Sequence, residues 1–216
     1  MRKPKNLVVA MFFASLILIF NMRFALAESD TMYFEFGASI GSGGEADAKF
    51  TDDNTTASWD IGDLVGAKLQ VGWDLGKVRA DVKARLMQGD VDAISGGVTS
   101  VNSIGSRSGP DVILGLATVN AYLDIADMKI SEETSFTPYV GAGFGYARGF
   151  MQADGVLAGV NRKDHRGETG TAISAVLGTS ASLSSSVALT AEYEYIHTDL
   201  GDFDAHLFNL GLRFSY

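Results

Sequence analysis

Three histidines are the residues of this chain best suited to acid–base chemistry. His197 is followed two positions later by Asp199, and the last segment, 205–216, contains no glutamate. A hydrolytic triad needs a nucleophile beside its base and a carboxylate that orients the base. Asp199 stands in place of a nucleophile two residues after His197, and the last segment has no glutamate to serve as the orienter. His165 lies in the charged stretch NRKDHRGE, where a surface position is expected.

Two other stretches match a binding motif only in part. GAGFG (141–145) is G-x-G-x-G rather than the dinucleotide pattern G-x-G-x-x-G, and no helical pattern follows it. Asp52, Asp53, Asn54 and Asp60 supply oxygen ligands that suit calcium, but their spacing matches no calcium loop. The sequence therefore predicts no catalytic residue, no cofactor and no metal site.

The stretch GKVRADVKARLM (76–87) alternates between small apolar and charged residues. Val78, Val82 and Leu86 also fit one stripe of a helix, but the strict alternation favours a strand with two unlike faces. In a soluble sandwich the apolar face would pack on a core. In a membrane barrel the same face would contact lipid, and the charged face would line the lumen.

The same alternation recurs along the chain and predicts eight strands. Composition agrees with an all-β chain rich in turns, since it has 25 Gly, 3 Pro and no Cys. The predicted strands are 31–41, 63–73, 76–87, 111–126, 137–150, 171–183, 187–197 and 205–216.

The N-terminus predicts export. Arg2, Lys3 and Lys5 precede an apolar run at 7–20, and Ala-Leu-Ala at 25–27 forms a cleavage signal. An uncleaved anchor is the alternative, but the run is shorter than the ~20 residues of a spanning helix. We therefore expect a signal peptide at 1–27 and one β-barrel domain at 28–216.

The connections between the predicted strands alternate between long and short, apart from the last. They are long at 42–62, 88–110 and 151–170, and short at 74–75 and 184–186. Barrels with a periplasmic N-terminus sort their connections this way. The pattern predicts an eight-stranded antiparallel transmembrane β-barrel with up-and-down meander topology. Ten strands remain open, since 46–59 could extend a hairpin or form a separate pair.

The polar faces of these strands would share a narrow lumen, where buried charges must be paired. In a sandwich they would face water instead. For the barrel we expect a salt-bridge network in which cations of the third strand face Glu192 and Glu194. Its predicted members are Glu35, Lys68, Arg79, Asp81, Lys83, Arg85, Asp124, Glu192, Glu194 and Arg213.

Three stretches resemble a known family. FTPYVGAGFGYARG (136–149) is similar to the fifth-strand motif of small bacterial outer-membrane barrels, and AEYEYIHTDLGDF (191–203) with HLFNLGLRFSY (206–216) resembles their last hairpin. The family comprises the OmpA-like transmembrane domain and the opacity-type "porin family" surface antigens. The alternating C-terminus is similar to the signal read by the barrel-assembly machinery; its residues are Leu210, Leu212, Phe214 and Tyr216.

The resemblance implies a cell-envelope protein of the bacterial outer membrane, in contact with its lipid and lipopolysaccharide. A structural or envelope-integrity role, or surface interaction through the outer loops with host or other ligands, is expected. The formal net charge of −9 argues against nucleic acid as a partner. A small porin-like channel is the alternative. A lipid A-modifying enzyme is a further one, but the Ser and Glu that such barrels place near their His are absent at the matching positions.

Overall fold

A computed structural model describes residues 31–49, 56–95, 111–131, 134–157 and 160–216. The predicted signal peptide (1–27) and Asp52, Asp53 and Asn54 lie outside these residues. Within them, no helix is long and apolar enough to cross a membrane.

The described chain forms one antiparallel sheet of ten strands. They are β1 (Thr31–Gly43), β2 (Glu45–Lys49), β3 (Thr56–Asp74), β4 (Val78–Ser95), β5 (Asp111–Asp124), β6 (Met128–Lys129), β7 (Ser135–Leu157), β8 (Val160–Ser182), β9 (Val187–Thr198) and β10 (Phe203–Ser215).

Eight of these strands close into a barrel. Each long strand pairs with the next along the chain, and β1 pairs with both β10 and β3. The predicted eight-stranded up-and-down barrel is therefore confirmed. The two extra strands do not add to the barrel wall. Strand β2 pairs with β3 and extends the β1–β3 hairpin beyond a break at Gly44, and β6 pairs only with the start of β7.

Alternate residues of the wall point to opposite sides, as the period of two requires. The outward positions are apolar and exposed, for example Ile40 at 61%, Val65 at 62% and Val119 at 64%. The inward positions are buried and mostly polar near one end. A wall with so many exposed apolar side chains on its outer face suits lipid rather than water as the surrounding medium.

Short connections gather at one end of the barrel, which we call the turn end. The β3–β4 turn uses Gly76 at φ 93°, and Leu75 N–H donates to the Val78 carbonyl at 2.9 Å. The β8–β9 turn closes through Leu183 N–H and the Val187 carbonyl at 2.8 Å. The opposite end, the loop end, carries the β1–β3, β4–β5, β7–β8 and β9–β10 connections.

The predicted loop at 151–170 is wrong, because β7 and β8 continue through it as a hairpin. Within the described residues, β5 accompanies β7 only to Gln152, and β9 accompanies β8 only to Ala172. Beyond those points the two strands pair with each other as far as Leu157 and Val160. We call residues 153–157 and 160–170 the "outer hairpin". Because these residues pair only with each other in the described structure, they lie beyond the wall whose two faces impose the alternation. Strands β3 and β4 likewise extend into the predicted loops at 42–62 and 88–110.

Lumen tyrosines lie over glycines of the neighbouring strand. A Cβ built on Gly178 would stand 2.6 Å from Cζ of Tyr139, and one on Gly72 would stand 2.5 Å from Cζ of Tyr33. Tyr122 covers Gly141 in the same way. Each glycine leaves room for a ring that covers its exposed backbone, a pairing that stabilises sheets.

We expect Gly178→Ala to destabilise the barrel by about 1–3 kcal/mol, because the added methyl must displace Tyr139. Gly115→Ala is the matched control, since its Cβ would find only the Arg148 carbonyl at 3.9 Å. Urea unfolding in lipid vesicles, followed by the heat-modifiable shift on SDS gels, measures both. Equal losses in the two variants would contradict this account of the glycine.

A charge-lined lumen as the candidate functional site

Ten ionisable side chains project into the lumen from the inward positions of six strands. They form a charge-balanced set of five cations, Lys68, Arg79, Lys83, Arg85 and Arg213, and five carboxylates, Glu35, Asp81, Asp124, Glu192 and Glu194. All are buried except Asp124, which is partly buried at the turn end. Burial of so many charges is tolerable only where each has a partner.

Glu35 on β1 is held by cations from both neighbouring strands. Lys68 Nζ on β3 lies 2.9 Å from Glu35 Oε1, and Arg213 on β10 donates to Oε2 from Nε at 3.0 Å and contacts it from Nη2 at 3.0 Å. Thr190 Oγ1 also donates to Oε1 at 2.9 Å. These contacts satisfy both oxygens of a carboxylate that water does not reach.

The two glutamates of β9 meet the cations of β3 and β4. Lys68 also contacts Glu192 Oε2. Lys83 Nζ lies 3.2 Å from Glu194 Oε2 and 4.0 Å from Glu192 Oε2, and Arg85 Nη2 lies 2.5 Å from Glu194 Oε2. The structure thus brings Lys83 and Arg85 to the glutamates that the sequence analysis placed opposite them.

Arg79 and Asp124 form a separate pair nearer the turn end. Arg79 Nη2 lies 2.6 Å from Asp124 Oδ1, and its guanidinium stacks over Tyr139 with Cζ 4.3 Å from the ring centroid. The ring face attracts the cation, which adds to the ion pair. A cavity of about 470 Å³ lies beside this pair and is also lined by Arg213.

Asp81 does not join an ion pair among the described residues. Its carboxylate accepts hydrogen bonds from Tyr33 OH at 3.0 Å and from Asn120 Nδ2 at 2.6 Å. The predicted network contained neither Tyr33 nor Asn120, so both partners of Asp81 were missed. Tyr139, which donates to Glu192 Oε1 at 2.8 Å, was missed in the same way.

A second feature of the lumen was also missed, a buried ring of apolar side chains toward the loop end. We call it the "apolar collar", and its main members are Leu64, Met87, Leu114, Leu116, Ile196 and Leu207. One signal was present in the sequence: the first half of the fourth predicted strand is apolar on both faces. That pattern places apolar groups inside the barrel as well as outside it.

The predicted assembly-signal residues lie on the outward face of the last strand and just after it. Leu210 and Phe214 are exposed there, Phe214 stacks on Phe36 with ring centroids 5.9 Å apart, and Tyr216 N–H donates to the Met32 carbonyl at 3.0 Å. Leu212 completes the row between them. Their reading by an assembly machinery stays a prediction.

The histidines of the last hairpin lie outside the lumen, near the loop end. His197 Nδ1 lies 2.8 Å from Asp204 Oδ1, which also accepts from Tyr195 OH at 2.7 Å. His206 Nδ1 lies 2.6 Å from Tyr193 OH. Among the described residues the imidazoles contact carboxylates and a phenol, Asp202 and Asp204 at His197 and Tyr193 at His206, and neither is hydrogen-bonded to a serine or threonine hydroxyl.

A closed wall with an apolar exterior and an ion-paired interior defines a small transmembrane β-barrel. Residues 12–215 match the family model described as outer membrane protein beta-barrel domain. The chain belongs to this family and is a protein of the bacterial outer membrane. Barrels of this kind have short periplasmic turns, which assigns the turn end to the periplasm and the loop end to the outside.

Two solved structures share the fold at low sequence identity. Neisserial surface protein A aligns over 88% of this chain and 100% of its own, with 14% identity and a TM-score of 0.58. The outer membrane protein OprG from Pseudomonas aeruginosa aligns over 88% of this chain and 97% of its own, with 12% identity and a TM-score of 0.54. No curated protein gives a significant match to this chain.

We expect Lys68→Met to destabilise the barrel by about 3–5 kcal/mol, because it leaves Glu35 and Glu192 buried with one fewer cation. Lys129→Met on exposed β6 is the matched control and should stay within about 0.5 kcal/mol of wild type. Unfolding in urea, followed by gel shift, gives both values.

The double variant Lys68→Met/Glu192→Gln should recover part of that loss, because it removes the unpaired charge at Glu192 together with the cation. A double variant no more stable than Lys68→Met alone would show that the pair is not coupled.

Proposed function

We propose that this protein is a non-enzymatic surface protein whose barrel is a plugged scaffold and whose outer hairpin and loops contact other surfaces. One observation carries the proposal: the lumen is occupied by its own side chains. Buried ion pairs cross it on the periplasmic side of the apolar collar, and the collar occupies it toward the outside. A barrel with such an interior is better suited to hold the outer hairpin and loops in place than to conduct solutes.

The outer hairpin supports the second half of the proposal. In β8, residues 160–170 have only β7 as a strand partner in the described structure, so their other backbone edge is unpaired over roughly 30 Å. An unpaired edge can accept an extended segment of another chain by strand addition. The name of the neisserial relative describes that protein as a surface protein, which agrees with such a role.

The remaining partners follow from the setting of the barrel. Its apolar outward rows fit the lipid of the membrane, and the polar residues at the loop end, among them Asp204 and His206, are proposed to meet lipopolysaccharide headgroups. The aromatic C-terminal row fits recognition by the barrel-assembly machinery during biogenesis. Both partners belong to the proposal.

A small channel is the second candidate, favoured by the cavity of about 470 Å³ at the periplasmic mouth. For conduction, that cavity would have to continue through the buried ion pairs and the apolar collar. The filled lumen therefore favours the scaffold.

We expect a barrel shortened at the outer hairpin to fold normally and to lose attachment. Gln152 and His165 are register partners, so an Asn-Gly turn can replace residues 153–164 without shifting the ladder. The test compares the attachment of bacteria carrying full-length or shortened protein to epithelial monolayers. Heat-modifiable mobility serves as the folding control, and undiminished attachment by a folded, shortened barrel would count against the hairpin.

We expect no change in lipid A, since among the described residues no serine or threonine hydroxyl is hydrogen-bonded to His197 or His206. Mass spectrometry of lipid A from cells with and without the protein checks this. A changed acyl pattern that disappears in His197→Ala would establish an enzyme instead.

A further inference from the structure

The inward face of the barrel changes character along each strand. Going outward, Arg85 is followed on the inward face by Met87 on β4, and Glu194 by Ile196 on β9. On β10, Asn209 is followed by Leu207. The lumen therefore has two layers, a polar layer toward the periplasm and the apolar collar toward the outside.

The apolar collar and the residues packed on it form a continuous ring. Seven of the barrel strands contribute buried apolar side chains to the cluster. The eighth, β1, contributes Gly41 and Gly43 instead. A Cβ on Gly41 would stand 2.8 Å from Cδ2 of Leu207, and one on Gly43 would stand 2.9 Å from Cγ2 of Ile61. Because Gly41 and Gly43 have no side chains, Leu207 and Ile61 can pack directly against the backbone of β1.

The polar layer, by contrast, has unmet hydrogen-bonding capacity. Apart from Thr179 on the outward face, the buried side-chain polar atoms without a protein partner in the described structure all belong to this layer. They are Gln70 Nε2 and Oε1, Arg79 Nη1, Arg85 Nε, Asn120 Oδ1, Tyr122 OH and Ser174 Oγ. Buried polar groups of this kind are ordinarily satisfied by internal water.

Space for water exists beside these atoms. A cavity of about 10 Å³, the size of about one water molecule, lies where the two layers meet: Arg85, Thr118 and Ser174 line it together with Leu116 and Ile196 of the collar. The larger cavity at the periplasmic mouth reaches Arg79 and Arg213, which belong to the same layer. Water can therefore reach the network from the periplasmic side.

We infer that water hydrates the polar layer and that the apolar collar, rather than the ion-pair network, is the barrier that keeps ions from crossing the barrel. A charged, hydrated layer can exchange its contacts with a passing ion. A ring of close-packed Leu, Met and Ile offers an ion no ligand, and apolar constrictions exclude water and ions by dewetting. This inference rests on the plugged scaffold proposed above.

Three purified variants separate the two layers in planar lipid bilayers. Leu114→Ser/Leu116→Ser opens the collar at two successive inward positions of β5, and Leu207→Ser is a milder change on β10. Lys68→Met/Glu192→Gln removes the central ion pair and keeps the side-chain volumes close. We expect current steps from both collar variants and none from wild type or the ion-pair variant.

Each outcome has a distinct meaning. If the collar variants fold but carry no current, whether or not the ion-pair variant conducts, the inference is overturned and the scaffold proposal stands. Currents through wild type would overturn both. Heat-modifiable mobility establishes folding in every case.

A measurement on the wild-type protein covers the case in which the collar variants do not fold. In lipid nanodiscs, amide protons of Gln70, Asn120 and Ser174 should show nuclear magnetic resonance cross-relaxation with long-lived water, whereas those of Leu114 and Leu207 should not. Water contacts of equal strength in both layers would refute a dry collar.

Discussion

Closure of the wall between β1 and β10 is the constraint on which the rest of this barrel depends. In hydrocarbon no water can satisfy a free strand edge, so the first and last strands must satisfy each other's backbone groups. The register of that closure places Phe34 opposite Phe214 and Glu35 opposite Arg213. A slip by one residue would turn Arg213 toward lipid and Phe214 into the lumen, so the apolar exterior and the ion-paired interior fix one register.

The same register determines which charged side chains meet inside the lumen. Glu35 lies between Arg213 and Lys68 because β1 is paired on both sides, and Lys68 then reaches across the lumen to Glu192. Equal numbers of cations and carboxylates make the set neutral, which limits the electrostatic cost of enclosing it. The glycines beneath the lumen tyrosines belong to the same arrangement. A narrow lumen has room for a tyrosine ring only where the neighbouring strand carries glycine instead of a residue with a side chain.

Alternation in the sequence revealed the wall because two unlike environments, lipid and lumen, act on successive residues. It therefore predicted which side of each barrel strand Arg79 or Glu194 would occupy, and it failed where those environments end. Residues 153–157 and 160–170 are strands that pair only with each other in the described structure, beyond the closed wall, and their sequence pattern resembled a loop. The partners of Asp81 were beyond prediction for another reason: spacing along a strand gives the side of the sheet, not the distance across the lumen.

The apolar collar also connects the sealed barrel to the hairpin above it. Ala147 on β7 and Ala172 on β8 belong to the buried cluster, and Leu200 of the β9–β10 turn packs against it. The outer hairpin begins a few residues beyond those alanines, so its base adjoins this buried apolar cluster. Because the wall residues are constrained by lipid on one side and by the lumen on the other, the hairpin can vary in sequence at little cost to the fold. A contact function located there could change while the barrel that supports it stays the same.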